Sequence, residues 1–201
     1  MKKSILFIVL FLLSTGLRAQ DYALLQQILE VNSAAQSFES DLRNTMHKKG
    51  QSNTQDGRLY FVKPNKFAAL FYNGNYMVVN ENRLKMDIGM FHGSFKLKKS
   101  GMMRSLSNIF LYGFQGRCKD LAEENDYDME IKENGAFQQV TFTSKNQGFL
   151  GIGYKQVVFK FEKETLKLRE IILYDSRDTE DSYSISNVQY NVPIDSSRFS
   201  F

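Results

Sequence analysis

Gly57-Arg-Leu-Tyr-Phe-Val-Lys-Pro-Asn-Lys-Phe67 is an apolar and aromatic run stopped by Pro64 and followed at once by a second apolar run, Phe67 to Tyr72. Proline has no N–H for a sheet ladder and drives its predecessor into an extended conformation, so Lys63 and Pro64 belong at a strand end. Two strands of a curved sheet meeting at a proline corner are predicted. The same period of two governs the chain before it. From Ser37 onward Phe38, Ser40, Leu42, Asn44 and Met46 fall on one face, and Glu39, Asp41, Arg43 and Thr45 on the other. Further strand-like runs are Tyr76 to Asn80, Arg83 to Ile88, Tyr127 to Lys132, Phe137 to Ser144, Lys155 to Glu162, Lys167 to Tyr174 and Asp181 to Tyr190. Asn73-Gly74, Glu81-Asn82 and Asn134-Gly135 between them are hairpin signals, because Gly and Asn accept positive φ at little cost. Short turns between consecutive strands mean an antiparallel meander.

Two stretches have the helical period instead. Tyr22, Leu25, Ile28, Leu29 and Asn32, widened by Leu24 and Val31, predict an amphipathic helix from Asp21 to about Ala35. Met102, Met103, Leu106, Ile109, Phe110 and Leu111 predict a second one, Gly101 to Tyr112, inserted into the meander. Its Met-rich face has two readings: a plug that completes the core, since Met fills irregular gaps, or a movable lid over an apolar cavity. No linker, repeat or low-complexity segment divides the chain.

The first residues set the compartment. Lys2 and Lys3 precede the apolar run Ile5 to Leu13, and Leu17-Arg18-Ala19 leads to a cleavage point, the pattern of a signal peptide over residues 1–19. An uncleaved anchor is the rival, but about nine apolar residues span only ~14 Å as a helix against the ~30 Å of a bilayer core. Removing Lys2, Lys3 and Arg18 from the 26 Lys and Arg leaves 23 against 22 Asp and Glu. The mature chain is then nearly neutral, and the whole-chain pI of about 9.0 does not argue for nucleic acid. The single cysteine, Cys118, cannot form an intrachain disulfide and reads as a small buried hydrophobe. Cys118 also lies too far downstream to be the lipidated residue of a lipoprotein.

Catalytic patterns are absent from the sequence. The two histidines, His47 and His92, have no companion at metal-ligand spacing. There is no G-x-S-x-G elbow, and Gly148-Phe-Leu-Gly-Ile-Gly153 lacks the Lys-Ser/Thr pair of a nucleotide loop, so it reads as a glycine-rich sheet corner. Asp126-Tyr-Asp128-Met-Glu130 has Ile131 where a calcium loop needs Gly, and reads as a solvated acidic edge. Asp175 to Asp181, with Arg177, reads as a polar hairpin loop. No metal or cofactor is expected, and an enzyme would need a pair of carboxylates converging in a cleft, which the sequence alone does not pick out.

Taken in order, the N-terminal helix, Ser37-Phe-Glu-Ser, the run Gly57 to Phe67, the turn Asn80-Glu-Asn82, Asp178 to Tyr183 and Ile194-Asp-Ser-Ser-Arg-Phe-Ser-Phe201 resemble the periplasmic outer-membrane lipoprotein carriers, the LolA family. The resemblance covers almost the whole mature chain and makes residues 20–201 one LolA-like domain. It implies a mainly β fold with helices (α+β): an unclosed antiparallel β-barrel of about 10–11 strands, covered by the N-terminal helix and the inserted lid helix. It further implies a monomeric periplasmic chaperone with acylated lipoproteins as cargo, an inner-membrane lipoprotein-releasing transporter as donor and an outer-membrane acceptor. Lys63 stands where many members have an Arg that hydrogen-bonds to the lid, which makes it the expected lid latch, although Lys lacks the planar fork of Arg. Phe67 matches the aromatic at the rim that meets the transporter. The segment His92 to Lys99, beside Phe91 and with Phe95 and Leu97, has no clear counterpart and suggests a strand or hook.

Transport of this kind has a physical requirement. Each methylene kept from water contributes ~0.8 kcal/mol, so a sixteen-carbon chain represents roughly 12 kcal/mol that a carrier must offset for a time. Phe38, Leu42, Leu59, Phe61 and Phe67, with Met102, Met103, Leu106 and Phe110 of the lid, are the expected lining of the cavity. A module that stores or senses free lipid would share the cavity but not the partners, and a structural adaptor would have a filled core and no pocket.

Overall fold

In the computed structural model, which describes residues 20–88, 91–98, 101–145, 154–175 and 179–200, each period-two run pairs with its sequence neighbour. β1 (Ser37–Lys48), β2 (Gln51–Val62), β3 (Lys66–Phe71), β4 (Tyr76–Asn80), β5 (Arg83–Ile88) and β6 (Phe91–Lys96) form one meander. β7 (Tyr127–Asn134), β8 (Phe137–Ser144), β9 (Tyr154–Glu162), β10 (Leu168–Asp175) and β11 (Glu180–Tyr190) form a second. The long antiparallel pairing of β1 with β11 fuses them into one 11-stranded sheet in the order β6-β5-β4-β3-β2-β1-β11-β10-β9-β8-β7. β6 and β7 are the two ends of that order, so the curled sheet does not close: it is an open antiparallel barrel. The expected signal peptide and the Gly148–Gly153 corner lie outside the described residues, as does part of the Asp175–Asp181 loop.

Three helices cover the concave face. α1 (residues 20–33) buries Leu25, Ile28 and Asn32 at a spacing of three and four, as its pattern predicts. Asn32 fastens it: its Nδ2 donates to the Leu166 carbonyl at 2.8 Å, and its Oδ1 accepts from the Leu168 N–H at 3.1 Å. α2 (Met102–Gln115) and α3 (Cys118–Asn125) are the insertion between β6 and β7. The inserted helix is thus a helical pair, and α2 runs three residues past the expected end at Tyr112. Gly113 does not end the helix but acts as a notch, because a Cβ there would lie 3.1 Å from Ile171 Cδ1 and 3.2 Å from Phe159 Cζ. The real stop is Gly116, left-handed at φ 67° and set against α1, where a Cβ would meet the Ile28 carbonyl oxygen at 2.5 Å. Among the described residues no helix is long and apolar enough to cross a membrane.

One further difference from the sequence reading has a simple cause. β2 begins at Gln51 rather than Gly57, because its first half, Gln51 to Asp56, is polar and largely exposed and carries no alternation. It is held by register with β1 and by the Arg43–Asp56 ion pair at 2.7 Å. The His92–Lys99 segment supplies most of β6, an edge strand. Asp126 to Glu130 leads into the other edge, β7, with Asp128 and Glu130 exposed.

The large core lies between the concave face and the helices. A second, small one sits on the convex face, where Phe199 packs with Tyr60, Ala68 and Val78. Asp195 starts the short 3-10 turn Ser196–Phe199 by accepting from the Ser197 N–H at 2.8 Å, and Asn80 Nδ2 reaches the Phe199 carbonyl at 3.2 Å. The terminal Asp-x-x-x-Phe pattern is therefore a clasp over β2, β3 and β4.

Gly57 faces the concave side, and a Cβ there would lie 2.3 Å from the Leu70 carbonyl oxygen of β3. Backbone, not a side chain, must give way. Gly57→Ala is expected to cost about 1–3 kcal/mol as an overpacked site, read as a lower midpoint in urea unfolding.

Candidate functional site

The inner surface of the barrel is apolar because the strands alternate. β1 turns Phe38 and Leu42 inward, β2 Leu59 and Phe61, β3 Phe67 and Ala69, β10 Ile171, and β11 Ile185, all of them buried. α2 lays its own stripe over this surface, with Leu106, Phe110 and Phe114 one turn apart and buried. Phe114 is the hub. Its ring stands edge-on to Phe38 at 5.5 Å, Phe61 at 5.6 Å and Phe67 at 5.6 Å between centroids. Phe110 extends the cluster to Phe67 at 5.5 Å and to Tyr183 at 4.9 Å.

Between the Phe110 and Phe114 rings and the strands, the unfilled space is small. One cavity of about 10 Å³ lies among Leu42, Leu59, Phe110, Phe114 and Tyr183, and another of about 10 Å³ lies beyond Phe114, among Phe38, Leu168 and Tyr190. Each is about the size of one water molecule, against the roughly 300–1,000 Å³ of a working ligand pocket. Phe114 and Ile185 line both and so stand between them.

Phe38, Leu42, Leu59, Phe61, Phe67, Leu106 and Phe110 therefore meet in one core. Met103 is partly buried against it, and Met102, 38% exposed at the start of α2, stands outside. The rim position expected for Phe67 is corrected: Phe67 is wholly buried, because β3 turns it inward between Phe110 and Phe114. Phe114, Ile171, Tyr183 and Ile185 were not expected in the lining. The i+4 spacing from Phe110 was the available signal for Phe114; for the others, strand pairing decides, and no local pattern shows it.

α2 is tied down at few points. Gln115 Nε2 donates to the Pro64 carbonyl at 3.0 Å, joining the end of α2 to the proline corner. Arg104 donates to the Leu97 and Lys98 carbonyls, both at 3.1 Å. Glu124 of α3 accepts from Asn108 at 3.1 Å and from Tyr112 at 2.8 Å, making α2 and α3 one unit. Burial, and then the bonded Glu124 carboxylate, push the Tyr112 phenol up to about 12, so it stays a donor. Lys63 does not latch α2. Its Nζ donates to the Ser33 carbonyl at 2.6 Å, at the end of α1, because the strand end that carries it lies under α1. The corner thus holds one helix by Lys63 and another by the Pro64 carbonyl.

One end of the apolar surface is polar. Asn75 Nδ2 donates to Gln55 Oε1 at 2.8 Å, Gln55 Nε2 to Asn44 Oδ1 at 2.8 Å, and Asn44 Nδ2 to Asp181 Oδ1 at 2.5 Å. The Tyr183 hydroxyl donates to Asp181 Oδ2 at 2.8 Å. Desolvation raises Asp181 above its ordinary 3.8 against the pull of these two donors, although part of its side chain meets solvent. Cys118 is buried and its thiol is pushed up by burial, which makes it an inert core residue. Among the described residues no group of His, Cys, Asp and Glu could hold a metal ion.

The chain belongs to the outer membrane lipoprotein carrier protein LolA family, whose model matches residues 30–201. Among solved structures it is similar to an uncharacterised conserved protein from Thermus thermophilus, with TM-score 0.50 and 8% identity over 90% of this chain and 94% of that one. It is also similar to a LolA superfamily protein from Nitrosomonas europaea, with TM-score 0.44 and 8% identity over 90% and 97% of the two chains. The Pseudomonas aeruginosa MucA/MucB complex matches with TM-score 0.46 and 10% identity over 89% of this chain and 60% of that one. At such identities the likeness is one of fold. No sequence relative among curated proteins matches the chain.

Two outcomes follow from these contacts. Gln115→Leu removes a bond between α2 and the corner, worth about 1 kcal/mol net, and is expected to speed hydrogen exchange of α2 amides roughly fivefold while the β1, β2 and β11 amides keep their rates. The raised Asp181 binds its proton more tightly folded than unfolded, so its contribution is favourable at low pH and is lost as the pH climbs from 3.8 upward. The stability of Asp181→Asn minus that of wild type should accordingly grow between pH 3 and pH 7 in urea titrations.

Proposed function

We propose that the protein is a non-enzymatic periplasmic carrier that takes up lipoprotein acyl chains under α2 and ferries them from the inner to the outer membrane. Residues 1–19 are then a cleaved signal peptide, and the working form is a monomer. Acylated lipoproteins are its cargo, with an inner-membrane releasing transporter on one side and an outer-membrane acceptor on the other. Family membership supports this reading. The observation that carries it is that the open barrel does not fill its own interior: the rings of α2 fill it, and α2 is fastened by a handful of hydrogen bonds.

The arrangement suits reversible binding. Phe110 and Phe114 occupy the space that acyl chains would take, so the empty protein keeps its apolar surface dry. Cargo replaces one set of apolar contacts by another, and the net cost of exchange stays small enough for release. In this account Phe38, Leu42, Leu59, Phe61, Phe67, Leu106, Phe110 and, at the margin, Met103 line the loaded cavity. Met102 marks its entrance, and Phe67 becomes available to a transporter only when α2 moves. Lys63 holds α1 in place while α2 opens.

Native mass spectrometry of the mature protein purified from a periplasm, followed by lipid extraction, tests the reading: di- or triacylated lipoprotein is expected. Free phospholipid would favour storage of lipid instead, and a clean apo mass after incubation with acylated peptide would reject a carrier. Truncating the hub separates a gate from a plug. Phe114→Ala is expected to lose about 3–5 kcal/mol of stability and yet bind an acylated peptide more tightly than wild type, because closure no longer competes with the ligand. Titration of a fluorescent acyl probe measures it.

A further inference from the structure

The layer of side chains at the polar end of the barrel is divided. Asn44 on β1 is in register with Gln55 on β2 and with Tyr183 on β11. Tyr183 is in turn opposite Ile171 on β10, Ile171 opposite Phe159 on β9, and Phe159 opposite Val140 on β8. One half of the layer is therefore polar and the other apolar. The polar half borders the cavity directly, because Leu42 and Ile185, which line it, lie two residues along β1 and β11 from Asn44 and Tyr183, and Tyr183 itself lines it.

Asp181 lies one layer beyond this row, opposite Met46, and its surroundings are unbalanced. Its contacts are with two neutral donors, Asn44 and Tyr183, and among the described residues no Lys or Arg bridges it. The phenol of Tyr154 lies within its electrostatic reach. A carboxylate has about four acceptor positions, so half are left for a ligand. A core needing only to be filled would be at least as stable with apolar residues here, since a crowded carboxylate costs free energy unless a cation or several donors compensate it. An amphiphile seated with its chain beneath α2 would bring its polar end to this row.

We propose that Asn44, Gln55, Tyr183 and Asp181 form a head-group subsite that selects amphiphiles carrying a primary ammonium next to the acyl-bearing part, with Asp181 accepting the N–H bonds. The inference rests on the carrier reading and sharpens it: cargo is chosen by its polar end as well as its chains, so a diacylated lipoprotein with a free N-terminal ammonium is preferred over an N-acylated, triacylated one. The subsite also orients the cargo, ammonium toward the ends of β1 and β11 and acyl chains toward the proline corner.

Isothermal titration calorimetry of wild type and Asp181→Asn at pH 7.5 with three ligands of one chain length below their micelle concentrations tests it: dodecylammonium, dodecanol and dodecanoate. Wild type should bind dodecylammonium at least about tenfold tighter than dodecanol, the scale of a hydrogen bond to a charged group, and dodecanoate most weakly. Asp181→Asn should lose that preference. Equal binding of the three ligands by wild type, which needs no variant to fold, would overturn the subsite while leaving the cavity standing. No binding of dodecanol or either ion would overturn the carrier reading itself, and the subsite with it. A diacylated peptide with a free N-terminus and phosphatidylethanolamine, both presenting the ammonium, separate the two sources: the tighter binder is the class the subsite serves.

Discussion

Everything inside this barrel depends on the seating of Phe114. A sheet of eleven strands that stops short of closing leaves a concave apolar surface with nothing of its own to cover it. Phe114 stands edge-on against rings from β1, β2 and β3 at once and lines the two small cavities on either side of it. Gly113, beside it, lets α2 come down onto Ile171 and Phe159. The filler thus belongs to a helix, and the helix is not part of the sheet.

The polar ties around α2 have a matching division. Lys63 and Asn32 fix α1 to the sheet, through the Ser33 carbonyl and the turn before β10. Gln115 and Arg104 fix α2 through three carbonyls, and Glu124 binds α2 to α3. α1 and the sheet make a frame; α2 and α3 make a cover joined to the frame mainly by apolar contact. Apolar contact is non-directional, so the cover can trade its contacts for those of a ligand more readily than a hydrogen-bonded helix could.

Much of this was legible in the chain. Strict alternation from Phe38 to Met46 and the turns at Asn73-Gly74 and Asn134-Gly135 give the meander, and Pro64 gives its corner, because each is a local property. The polar half of β2 and the helix α3 were not legible: Gln51 to Asp56 has no apolar face, and α3 buries only Cys118 and Leu121. Their structure comes from partners distant in sequence. Ile171, Tyr183 and Ile185 reach the cavity for the same reason, since pairing of β1 with β11 joins residues more than a hundred positions apart. Lys63 was misread as a latch for α2, because sequence shows that a cation sits at the corner and not which helix lies over it. Asp181 looked like the end of an acidic loop, and only the fold sets it at the edge of an apolar cavity.

The central claim is that α2 is a cover which moves when acyl chains enter. Met102 at the start of α2 and Tyr72 at the turn after β3 are both exposed, and the native Cys118 is buried, so spin labels can be placed at Met102→Cys and Tyr72→Cys alone. Pulsed electron paramagnetic resonance of the doubly labelled protein should give one narrow distance distribution without ligand and a second, displaced population that grows with added diacylated peptide. An unchanged distribution at saturating peptide would contradict the account and make α2 a fixed part of the core.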